Sequence, residues 1–136
     1  MPESAAHLVL VQQLVLWVGE NCPKGNDSAL FVDDPWQAAV NKPPSILGYF
    51  PDVFWKSPAS GSALVGEAKS AYDLESRHSR RQFASFLTHL KSIENGMFLI
   101  AVPWHVVPPA KSLIRAIQRD TETLAVRTIF LEYLPG

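Results

Sequence analysis

Apolar residues crowd the stretch Leu8-Val9-Leu10-Val11-Gln12-Gln13-Leu14-Val15-Leu16-Trp17-Val18, interrupted only by the two glutamines. Leu8, Val11, Val15 and Val18 recur at helical spacing, and the remaining apolar side chains widen that stripe almost all the way round. The pattern predicts a helix over residues 4–18 that ends near Gly19. A helix apolar on most faces must be covered by more than one surface. A sheet below with a loop above would do this, and so would a second copy of the chain. A second helix is predicted over 76–93, where Phe83, Phe86, Leu87, Leu90 and Ile93 share one face before a stop at Asn95-Gly96. Pro108-Pro109 opens a third, running to Gln118 with Leu113, Ile114 and Ile117 inward.

Strand signals lie between the helices. Residues 29–32 form a short apolar run, 97–102 a buried one, and 125–131 a last one; a helical turn is expected at 36–40. Two further apolar, aromatic-rich runs, ending in Asp52-Val53-Phe54-Trp55 and in Leu64-Val65-Gly66-Glu67-Ala68-Lys69, flank Lys56-Ser57-Pro58-Ala59-Ser60-Gly61-Ser62. Its Pro, Ser and Gly read as a turn, so the segment is predicted to be a β-hairpin. The predicted order is helix, three strands, helix, strand, helix, strand. This is an α/β layout with helices packed on a mixed sheet, in one domain spanning residues 1–136.

The hairpin carries the candidate chemistry. If it bends symmetrically about Ala59 and Ser60, Asp52 falls opposite Glu67, and Glu67 and Lys69 point to one face. Like charges directly opposite repel. Two carboxylates in apolar surroundings must therefore protonate or find a cation. Lys69 is one such cation, and a divalent metal is a better one, because Mg²⁺ binds through one or two carboxylates plus substrate phosphates. The competing expectation is structural: Asp52 caps a turn after Pro51, and Glu67 and Lys69 form an edge-strand ion pair.

Composition narrows the class. The apolar fraction of 47% and charged fraction of 18% are those of a soluble globular protein. A single cysteine, Cys22, excludes an internal disulfide framework and a cysteine-based zinc cluster. The first helix is too short and broken to span a membrane, and Glu3 without an early Lys or Arg leaves no basic signal-peptide region. A cytoplasmic protein is expected. The net charge of −1 argues mildly against nucleic acid, but its distribution argues the other way. Arg77, Arg80 and Arg81 open the second helix, and Lys111, Arg115 and Arg119 line one face of the third. These six are the candidate phosphate contacts. His105 has no identifiable partner. Gly-rich phosphate loops and the Gly-x-Ser-x-Gly elbow are absent from the sequence, which removes nucleotide kinases and α/β-hydrolases.

Pro51-Asp52, a short gap and then Glu67-Ala68-Lys69 resemble the signature of the PD-(D/E)XK nuclease superfamily, and the element order resembles its αβββαβ core with one helix and strand appended. The resemblance covers roughly residues 4–102. It implies a DNA endonuclease in which Asp52 and Glu67 hold Mg²⁺, or Mn²⁺ in its place. The Ala68 carbonyl would be a further ligand and Lys69 would stabilise developing negative charge. Some branches carry Gln-x-x-x-Tyr on the second helix; here Gln82 is followed by Phe86 in place of Tyr. Many members also place a Glu on the first helix, for which Glu20 is the nearest match, with Glu3, Asp33 or Asp34 as substitutes. A homodimer is expected from the over-apolar first helix and from the need for paired sites to cut two strands. The rival expectation is a nuclease-like module that binds nucleic acid or protein without cutting, or a subunit of a larger complex.

Overall fold

The computed structural model describes residues 5–33 and 41–134. The helical turn expected at 36–40, together with Glu3 and Asp34, lies outside them. Helix α1 (Ala5–Asn21) precedes strands β1 (Ala29–Val32), β2 (Val53–Ser57) and β3 (Ser62–Ala68); α2 (Arg77–Lys91), β4 (Asn95–Pro103), α3 (Val107–Asp120) and β5 (Arg127–Tyr133) follow. The strands form one mixed sheet in the order β1-β2-β3-β4-β5. The first two pairings are antiparallel and the last two parallel.

The topology follows from connection lengths. A three-residue 3₁₀ turn, Pro58–Ser60, joins β2 to β3, and Gly61 closes it at φ 65°, in the left-handed region that favours glycine. The parallel steps β3 to β4 and β4 to β5 each need a crossover, which α2 and α3 supply. Both crossovers step the same way across the sheet, so right-handed connections place both helices on one face. The core divides accordingly. Phe83, Phe86, Leu87 and Leu90 of α2 and Ile114 and Ile117 of α3 meet Val65, Phe98, Ile100 and Val102. On the other face α1 lays Leu10, Val11, Leu14 and Val18 over Val53, Trp55, Leu64, Leu99 and Ala101. Burying each such side chain contributes about 1.5–3 kcal/mol.

The inward stripe of α1 is therefore not the predicted one. Leu8 and Val15 are half-buried, and Leu10 and Leu14 replace them at the sheet. An all-round apolar helix has no unique stripe, so the sheet chose it. The helix also runs past Gly19 to Asn21. Cys22 follows, buried, and burial raises its thiol pKa, as suits an ordinary core thiol.

The predicted stop at Asn95-Gly96 is corrected. Helix α2 ends at Lys91 with Ser92 as its cap, and Asn95 and Gly96 already belong to β4. Gly96 serves close approach instead. A Cβ there would stand 2.5 Å from the Leu90 carbonyl oxygen.

Candidate functional site

The site forms at the end of the sheet where β3 and β4 finish and β2 begins. The hairpin register pairs Lys56 with Ala63 and Val53 with Gly66, so the bend is centred between Ala59 and Ser60 as predicted. One step beyond Val53, Asp52 stands opposite Glu67. Each carboxylate is tied to the other's strand: the Ala68 N–H donates to Asp52 Oδ2 at 2.8 Å, and the Asp52 N–H donates to Glu67 Oε1 at 3.1 Å. Lys69 N–H donates across to Ala101 of β4. Backbone groups alternate sides along a strand, so the Ala68 carbonyl is directed, like its N–H, to the Asp52 side.

Lys69 completes the cluster. Its Nζ lies 3.3 Å from Glu67 Oε2 and donates to Gln82 Oε1 at 2.6 Å, while sitting 6.0 Å from the centre of the Phe83 ring. Gln82 is buried on the inner face of α2. Lys69 thus bridges Glu67 and Gln82.

Asp52 is 8% exposed and Glu67 3%. Burial first, then the adjacent charge of Asp52, pushes the Glu67 carboxyl well above the usual carboxylate range, while Lys69 pulls it back in part. Two carboxyl groups tied this way to opposite strands of one buried site call for a shared proton or a cation. Among the described residues no group of three or more His, Cys, Asp and Glu side chains gathers around one point. The donors on offer are two carboxylates and a carbonyl, all hard oxygens. That set fits Mg²⁺ or Mn²⁺ with water and substrate phosphate completing the shell, and does not fit a metal caged wholly by protein.

His7 joins the site without having been anticipated. Its Nε2 lies 3.3 Å from Asp52 Oδ1, within hydrogen-bonding distance of the carboxyl. The signal in the sequence was a polar ring in the first turns of an apolar helix, but nothing local pointed it to a residue 45 positions away. The expected helix acid is corrected at the same time. Glu20 is exposed, thirteen residues beyond His7, which at 1.5 Å per residue puts it about 20 Å along the helix axis from the site. Asp33 comes close only through its backbone, donating N–H to the Asp52 carbonyl, and its side chain pairs with Lys42 at 3.3 Å.

No family model, curated protein or solved structure matches this chain.

The six basic candidates divide. Arg77, Arg80 and Arg81 are exposed on the opening turns of α2, at the same end of the sheet as Lys69. Their unfavourable position at the helix start is moderated by Ser76, whose hydroxyl caps Ser79 N–H. Lys111 and Arg115 line a separate groove of about 370 Å³ with Ile114, Gln118, Thr128 and Phe130. Arg119 lies two turns beyond Lys111, away from the site, because α3 starts at the site end and runs back along the sheet. His105 is exposed just after β4, edge-on to Trp104 at 5.6 Å.

Proposed function

We propose that the protein is a metal-dependent endonuclease of PD-(D/E)XK type that hydrolyses DNA phosphodiester bonds. One observation carries this: two carboxylates, both nearly buried, are locked face to face by each other's strands with a single lysine beside them. A purely structural pair would be a poor use of the core, since uncompensated like charges in a dry site destabilise it. The αβββαβ element order supports the same reading.

In this reading Asp52, Glu67 and the Ala68 carbonyl hold the cation. Bound there, it supplies Lewis acidity to the phosphodiester and acidifies a water. Lys69 keeps one of its three N–H donors beyond those engaged by Glu67 and Gln82, for negative charge that develops on the reacting phosphate. Gln82 positions that ammonium, and His7 holds Asp52 in place. Arg77, Arg80 and Arg81 contact flanking phosphates. A second copy of the chain, covering the outer side of α1 where Leu16 is 57% exposed, would pair two such sites.

The test is cleavage of supercoiled, linear and branched DNA with Mg²⁺ or Mn²⁺, run beside Asp52→Ala and Lys69→Ala. Metal-dependent cutting that falls by about 10²-fold or more in both folded variants is expected. An inert wild type that also takes up no metal in calorimetry would overturn the nuclease, leaving a module that binds without cutting.

A further inference from the structure

Among the described residues, the strongly exposed large apolar side chains are Leu16, Leu47, Phe50, Tyr72, Trp104, Leu124 and Leu134. The three aromatics in that set come from three separate segments, and all three segments meet at the site end of the sheet. Phe50, 62% exposed, lies two residues before Asp52. Tyr72, 93% exposed, lies three residues after Lys69. Trp104, 53% exposed, leaves β4 three residues beyond Ala101, which is paired in register with Ala68. Tyr49, next to Phe50, stacks edge-on with His78 at 5.6 Å and so joins this rim to the start of α2. Of the other aromatics, Phe54, Trp55, Phe83, Phe86 and Phe98 are buried, and Trp17, Phe31, Phe130 and Tyr133 are half-buried.

We infer that this end of the molecule binds an unpaired DNA strand, whose bases stack on Phe50, Tyr72 and Trp104 while Arg77, Arg80 and Arg81 take its phosphates. The inference rests on the proposed nuclease site and names its substrate as single-stranded DNA or the single-stranded part of a branched one. Two arguments favour an open strand over a duplex. Bases in a duplex stack on one another and leave no face for a protein ring, whereas an unpaired base offers its π-face to any exposed aromatic. Duplex binding also draws on dense phosphate neutralisation, and a chain of net charge −1 with three arginines at this rim supplies little of it. Stacking contributes where charge is scarce.

The experiment measures binding of a fluorescein-labelled oligothymidylate, and of a duplex of equal length, by anisotropy in EDTA and again with Ca²⁺. Wild type should bind the single strand about tenfold more tightly than the duplex. Tyr72→Ala and Trp104→Ala should each weaken strand binding by about tenfold and leave duplex binding unchanged, while Trp104→Phe retains it. Both positions are exposed, so these variants should fold as wild type does. Equal or tighter duplex binding would overturn the inference, and so would alanine variants indistinguishable from wild type. If the wild type cuts DNA with metal while those variants bind and cut unchanged, the aromatic surface fails and the nuclease stands. Strand binding that depends on the aromatics without any metal-dependent cutting would sustain the surface and overturn the nuclease.

Discussion

Glu67 sits where three forces on one carboxyl can be ranked. Burial and the neighbouring Asp52 charge raise its pKa, Lys69 lowers it, and the first two win. An acid with a raised folded-state pKa contributes stability below its unfolded value, near 4.5, and loses that contribution as pH climbs through the folded value. Metal-free wild type should therefore lose stability from about pH 5 upward through neutrality relative to Glu67→Gln, which carries no charge to desolvate. The gap should reach on the order of 1 kcal/mol or more, since a tenfold change in a proton-binding equilibrium corresponds to about 1.4 kcal/mol. Thermal unfolding of both proteins in EDTA across that range checks it; parallel pH profiles would show that Lys69 alone satisfies the glutamate. Mg²⁺ or Mn²⁺ should reverse the order by stabilising wild type and not the variant.

At the scale of elements, the passage from α2 into β4 is tight. Phe98 packs against Phe83 and Phe86 at ring separations of 5.8 and 6.2 Å, and Gly96 lets β4 pass under the Leu90 carbonyl to make that contact. A methyl group has no room there, and backbone cannot swing aside as a flexible side chain could. Gly96→Ala should lower stability by about 1–3 kcal/mol, measured by urea unfolding. Because α2 carries Gln82, the same variant should disturb the site's lysine as well. Its helix-stop composition, Asn95-Gly96, drew the expectation to the wrong boundary: the same glycine that could cap a helix is needed for clearance in the strand.

Across the whole molecule, a net charge of only −1 hides a division between its two ends. His7, Asp52, Glu67, Lys69, the three α2 arginines and the exposed aromatics gather where β3 and β4 finish, while the opposite end carries the Pro58–Ser60 turn. Under the proposed reading, a centre of two carboxylates rimmed by cations should give DNA binding of modest salt dependence. Arg80→Ala and Arg81→Ala should each reduce the slope of log K against log salt by about 0.7 for a single strand, without changing sequence preference. Arg119→Ala, remote from this end, should leave the slope unchanged. Anisotropy titrations at several salt concentrations would separate the two.

Local chemistry was enough to determine the hairpin. A turn rich in Pro, Ser and Gly between two apolar runs fixes where the chain reverses, and a period of two residues per strand then fixes which side chains face each other. Asp52, Glu67 and Lys69 were brought together by that arithmetic alone. The order of helices and strands was legible for the same reason, since periodicity is a local property. The inward face of α1 was not, because a helix apolar all round defers to whichever surface it meets. His7 and Gln82 reached the site by way of α1 packing and the α2 crossover, and Glu20 was carried away from it by the length of its own helix. Those placements depend on how elements cross the sheet, and only the tertiary structure decides that.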